Sequence, residues 1–207
     1  MLKQIISEFN LMPFLEAYAQ RLQSNYVLSA QKVKADRQPG LVREALGHTR
    51  HWCGMEDLYL AATATGLIAN FHYPRRKTCR YVRVTAGPLL LTATHRQYPS
   101  ASIRLSDFRN SLIRDFNRPC LPGCIPDIPT GEPYYGILVH GSLMGDEGRL
   151  SFLHLRLPAW QKGKNLDEID ILKHLADERA LAVACQEEQI VKPAEPRLRQ
   201  VNIVHKE

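Results

Sequence analysis

The sequence predicts an α+β fold: a small antiparallel sheet from two hairpins, at about residues 80–95 and 134–157, packed with helices and preceded by a helical N-terminal segment. Three observations predict it. The first is a pair of apolar runs, Tyr134 to His140 and Leu150 to Leu157, flanking a turn-rich stretch with Gly141, Gly145, Asp146 and Gly148. The second is a weaker copy of that pattern, Arg80 to Thr85 and Leu89 to His95, with Ala86-Gly87-Pro88 between. The third is helical spacing of apolar residues before residue 70 and again over Leu105 to Asn117 and Leu166 to Cys185. The natural division is 1–69 as the helical segment and 70–207 as the α+β core with a C-terminal helix and tail, together forming one unit.

In the helical segment Asn10 is a candidate cap and Pro13 stands where a first-turn proline is tolerated. Phe14, Leu15, Tyr18 and Leu22 then recur at three- and four-residue steps, the apolar face of an amphipathic helix. Asn25 to Lys34 alternates enough to be a strand or a second helix, and Arg37-Gln38-Pro39-Gly40 breaks it. Leu41 to Leu46 reads as a short helix stopped near Gly47. Met55 to Ile68 reads as a separate helix with acids at its positive end.

In the core, Ser106 is a candidate cap for the helix over Leu105 to Asn117. Leu105, Phe108, Leu112, Ile113 and Phe116 form its buried stripe, and Arg109 and Arg114 project away. Five prolines between Arg118 and Pro133 make that stretch an extended loop. Ile137, Leu138, Val139, Phe152, Leu153, Leu155 and Leu157 form nearly continuous apolar runs, as expected of strands covered on both faces. Asp167, Glu168 and Asp170 read as the first turn of the C-terminal helix. Val201 to Val204 is a candidate final edge strand.

Hydrophobic residues make up 44% and charged residues 23%, the balance of a folded domain. No apolar run reaches the roughly 20 residues of a membrane-spanning helix, so no membrane partner is expected. Five scattered cysteines and the lack of a secretory apolar region predict a reducing, cytoplasmic setting. Cys120 and Cys124 have a metal-like spacing but no second Cys/His pair follows, and His48 and His51 lack carboxylates at fixed spacing; neither metal nor cofactor is expected.

Charge is the most function-like property. Ten Arg/Lys between Asn70 and Arg118 oppose only Asp107 and Asp115, so this segment carries +8 of a net +6 and the rest sums to −2. Arg75, Arg76, Lys77, Arg80 and Arg83, interleaved with Tyr81, are suited to phosphates and unpaired bases. Antiparallel pairing returns Arg96 to the same patch, and Arg109 and Arg114 extend it. The expected function is non-enzymatic nucleic-acid binding, DNA or RNA. A winged-helix version would need cations or amides on Met55 to Ile68, which offers Glu56, Asp57 and alanines instead.

Two alternatives follow from other residues. The apolar strands and tail suit a protein-interaction module, a complex subunit, inhibitor or homo-oligomer. His140, Ser142 and His154 suit a histidine-dependent phosphoesterase or ribonuclease, if hairpin pairing brings the two imidazoles together. His140-Gly141-Ser142 resembles half of the paired His-x-Ser/Thr signature of two-histidine phosphoesterases; His154-Leu155-Arg156 does not supply the other half.

Overall fold

The computed structural model describes residues 1–36, 38–74, 80–103, 106–117, 133–143, 145–161 and 163–191. Three helices come first: α1 (Leu2–Glu8), α2 (Met12–Asp36) and α3 (Pro39–Ala64). Asn10, at φ 48°, turns the chain from α1 toward α2 in a conformation asparagine tolerates better than most residues. The predicted stripe of Phe14, Leu15, Tyr18 and Leu22 is buried and continues through Tyr26, Ala30 and Val33. The ambiguous Asn25 to Lys34 stretch is therefore more α2. Gln38, before a proline, is extended (φ −61°, ψ 144°), and Pro39 opens α3 where its missing N–H costs nothing.

α3 corrects two expectations. It runs unbroken through Gly47 and Gly54, where the sequence suggested a stop and a loop. A glycine costs a helix about 1 kcal/mol relative to alanine, less than α3 recovers by burying Leu46, Met55, Leu58, Ala61 and Ala62. At its other end α3 stops at Ala64, and Gly66 takes φ 76°. Residues from 68 onward are already strand, so the helical segment is slightly shorter than expected.

The strands are β1 (Ile68–His72), β2 (Tyr81–Ala86), β3 (Leu89–His95), β4 (Tyr134–Gly141), β5 (Phe152–Pro158) and β6 (Asn165–Asp170). They form one sheet in sequence order. The two predicted hairpins are present, but they belong to a six-stranded mixed sheet rather than a small antiparallel one. β3 and β4 join them in parallel, from Leu89↔Tyr134 to His95↔His140. Parallel neighbours need a long crossover, and residues 96–133 supply it, including α4 (Asp107–Phe116).

The helical layer α1–α3 and one sheet face share a core. It includes Leu58, Val84, Leu91, Leu138, Leu153 and Leu155. α4 covers the other face, setting Leu112 and Ile113 on Leu90, Tyr135, Ile137 and Val139. β4 is buried along its whole length, as its continuous apolar run requires. Asn117, fully buried after α4, ties that crossover down. Its Nδ2 donates to the Tyr135 and Pro158 carbonyls, and its Oδ1 accepts from the Tyr135 N–H, each at 2.8 Å. On the same face the hydroxyls of Thr92 and Tyr135 meet at 2.8 Å. Tyr135→Phe leaves Thr92 short of that partner and is expected to cost about 1 kcal/mol in urea unfolding.

β6 is a further correction. The acids of Asn165–Asp170 do not start a helix; they lie on an edge strand and meet cross-strand partners. Glu168 stands opposite Arg156 and accepts its Nε–H at 2.9 Å, and Asp170 stands opposite His154. Asp167 accepts the Leu2 N–H at 2.7 Å. α5 (Ile171–Val191) begins only after these residues. The chain divides into two compact units, Met1–Leu175 and Ala176–Glu207; the described part of the second is the continuation of α5. No described helix is long and apolar enough to cross a membrane. Cys79, Cys120, Cys124 and the Val201 to Val204 segment lie outside the described residues.

A candidate anion-binding cleft

β2 and β3 are paired only next to their turn, at Ala86↔Leu89, Thr85↔Leu90 and Val84↔Leu91. Beyond Val84 the strands part. Tyr81 and Val82 on one side and Thr92 to His95 on the other line a cleft of about 840 Å³. Aromatic and cationic side chains surround the gap. Phe108 of α4 stacks on Tyr81 at 4.1 Å between ring centroids, and the Arg80 guanidinium lies over the Phe71 ring at 4.6 Å. The neighbouring Arg109 Nη2 donates to the Ala93 carbonyl at 3.3 Å.

Four residues of the predicted basic patch, Arg80, Tyr81, Arg96 and Arg109, line this one cleft. Arg109 was expected to project away from its helix; it is instead buried against β3, because the parted strands leave a carbonyl for it to reach. Arg83 also lies on β2, its Nε buried without a hydrogen-bond partner among the described residues, near enough to His72 to depress that imidazole further after partial burial. Arg114 points elsewhere, exposed on α4 with Asp115 at 3.9 Å. Arg75, Arg76 and Lys77 lie outside the described residues.

A smaller cavity of about 220 Å³ adjoins the cleft and shares Gly47, His95, Gln97 and Tyr98 with it. Its inner wall is made at the carboxyl ends of β3 and β4. There the parallel register sets His95 beside His140, with ring centroids 5.8 Å apart. His140 is completely buried. Its Nδ1 lies 2.9 Å from the Tyr26 hydroxyl, and its Nε2, packed on Gly54, has no hydrogen-bond partner among the described residues. Burial holds His140 well below the usual imidazole range, and His95, His51 and Arg50 push the same way. Burial lowers His95 to about 4, helped by Arg50, His51 and Arg96. His51 is lowered too, by burial and then by Arg109, Arg96 and His48. At neutral pH these three rings are uncharged acceptors or donors, and the positive charge comes from guanidinium groups.

Arg50 is the charge sequence reading missed. It projects from α3, only 5% exposed, with its guanidinium 4.3 Å from the Tyr26 ring centroid. Nη1 donates to Ser142 Oγ at 2.8 Å and Nη2 to the Glu147 carbonyl. A helix cut in two at Gly47 hides it, since Arg50 then falls in a loop. The histidines left a trace: both LLLTATH and GILVH end an apolar run on His.

His140 and His154 do not meet. His154 is registered with Val139 and His140 with Leu153, and alternation sends the imidazoles to opposite sheet faces. His154 pairs with Glu168 at 2.7 Å instead. Ser142 is engaged by Arg50. Among the described residues no group of three His, Cys, Asp or Glu is placed to hold a metal ion.

No protein-family model, curated protein or solved structure matches this chain. Its cleft is therefore known by its chemistry alone: guanidinium groups, imidazoles and, among the described lining residues, the single carboxylate of Glu44.

Proposed function

We propose that the protein binds nucleic acid, taking an unpaired strand of DNA or RNA into the cleft between β2 and β3. The observation that carries this reading is the convergence of Arg80, Arg96 and Arg109 on one concavity whose described lining residues include one carboxylate, Glu44. Guanidinium groups pair phosphate oxygens in two-pronged fashion. A duplex offers its phosphates on a convex surface and does not enter a gap between two strands; a single strand does. Tyr98, 44% exposed and lining both cavities, supplies a ring on which a base can stack, a contact worth about 1–3 kcal/mol. The +8 of the surrounding segment steers such a ligand inward.

Fluorescence anisotropy of labelled oligo-dT and oligo-U tests it. Three phosphate contacts on a single strand predict a slope of about −2 in log K against log salt. Arg80→Ala is expected to weaken binding roughly tenfold and to flatten that slope by about 0.7. Absence of binding to either polymer at about 50 mM salt overturns the reading.

A further inference from the structure

We propose that the smaller cavity is a receptor for one phosphate group, held by Arg50, Ser142 and His95. The inference does not rest on strand binding in the larger cleft. It starts from the charge on Arg50. A guanidinium carries five N–H donors. Arg50 places one on Ser142 Oγ and one on a main-chain carbonyl, both neutral acceptors, and its Nε has no partner. Among the described residues no carboxylate lies within ion-pair distance of it. A buried charge is costly unless something of opposite sign meets it, and the space beside this one is a cavity.

One acid, Glu147, lines that cavity and its charge is felt by Arg50, but its carboxylate is not within ion-pair distance of the guanidinium and is turned to another task. Glu147 gives its carbonyl to Arg50, while its carboxylate, 37% exposed, pairs with Lys34 at 3.7 Å. The cavity wall thus combines a buried cation, a hydroxyl, and the imidazole of His95, which is neutral and able to donate one N–H. These are donors for a tetrahedral oxyanion. A water occupies roughly 30 Å³ of liquid, so about 220 Å³ admits a phosphate with a few waters, or a phosphate whose ester substituent leaves past Tyr98. Val42, Leu46 and Leu143 add apolar surface to a wall completed by Gly47, Gln97, Tyr98 and Glu147.

The ligand chemistry is a phosphate monoester or inorganic phosphate. Isothermal titration separates the two, with inorganic phosphate in one arm, adenosine 5′-monophosphate in the second and adenosine in a third. Both phosphates are expected to bind and adenosine is not; tighter binding of the nucleotide assigns the site to a monoester, and equal binding to the free ion. Arg50→Ala is expected to weaken phosphate binding more than tenfold, with folding checked by circular dichroism. Arg50 also ties down the loop after β4, so Ser142→Ala serves as the second variant. It removes only a hydroxyl and is expected to weaken binding about threefold. Failure of the wild type to bind either phosphate overturns the proposal, as does undiminished binding in folded Arg50→Ala or, should that variant not fold, in Ser142→Ala. Oligonucleotide binding measured on the same preparations succeeds or fails independently.

Discussion

Gly54→Ala is expected to destabilise the protein by about 2–3 kcal/mol, although helix propensity alone favours alanine by about 1 kcal/mol. The methyl group would lie 2.4 Å from His140 Nε2 and 2.8 Å from its Cε1. No real carbon sits that close, so something must shift. His140 has nowhere to go: it is fully buried, and its Nδ1 is held at the Tyr26 hydroxyl. Either α3 lifts from the sheet, losing the contacts of Met55 and Leu58, or the ring swings away and breaks the Tyr26 contact. Arg50 is one helical turn before Gly54 and stacks on that same tyrosine, so the change propagates into the small cavity. Urea unfolding checks the sign. Gly47→Ala is the control, because a methyl there meets nothing within 4 Å and only propensity acts. Opposite signs for two glycines of one helix are the expected result. Stabilisation by both would mean that α3 and β4 do not pack this closely.

Acid is expected to unfold the protein earlier than its carboxylates require. The histidines beside the cleft have depressed values when folded, so at intermediate pH the unfolded chain binds protons that the folded chain refuses. Stability from this source is complete above the unfolded imidazole value near 6.5 and is lost as pH falls toward the folded value. For His95, depressed to about 4, the loss between about pH 7.5 and 5 is roughly 2 kcal/mol. His140 and His51 add to it in the same direction. Urea midpoints across that range should fall, and His95→Asn should fall less steeply than the wild type. A flat profile from pH 7.5 to 5 would show that these rings are exposed to water.

Local patterns carried the class of the fold. Phe14, Leu15, Tyr18 and Leu22 repeat at helical steps, and GILV and LHLRL can bury both faces of a strand; neither signal needs a distant partner. The misreadings share a cause. β6 looked like a helix start because Asp167, Glu168 and Asp170 suit a helix dipole, and only the register opposite Arg156 and His154 gives them a strand role. Gly47 and Gly54 looked like breaks because the side chain Gly54 makes room for lies 86 positions downstream, on β4. The parallel join of β3 and β4 leaves no mark in either hairpin. It is nonetheless what sets His95 beside His140.

The candidate site follows the same division. The cations Arg80, Arg96 and Arg109 were visible as a charge excess, because a count needs no geometry. Their convergence depends on where β2 and β3 stop pairing. Arg50, Tyr26 and His140 form a group only once α2 and α3 are laid across the ends of β3 and β4, and no spacing in the sequence encodes that.

Photo-cross-linking tests the central claim most directly. A short oligonucleotide carrying 5-iodouracil is irradiated with the protein at low salt, and the modified peptides are identified by mass spectrometry. Cross-links on residues that line the cleft, Tyr98, Tyr81 or His51, are the predicted result. Cross-links confined to β6 or α5, or none at all, would contradict it.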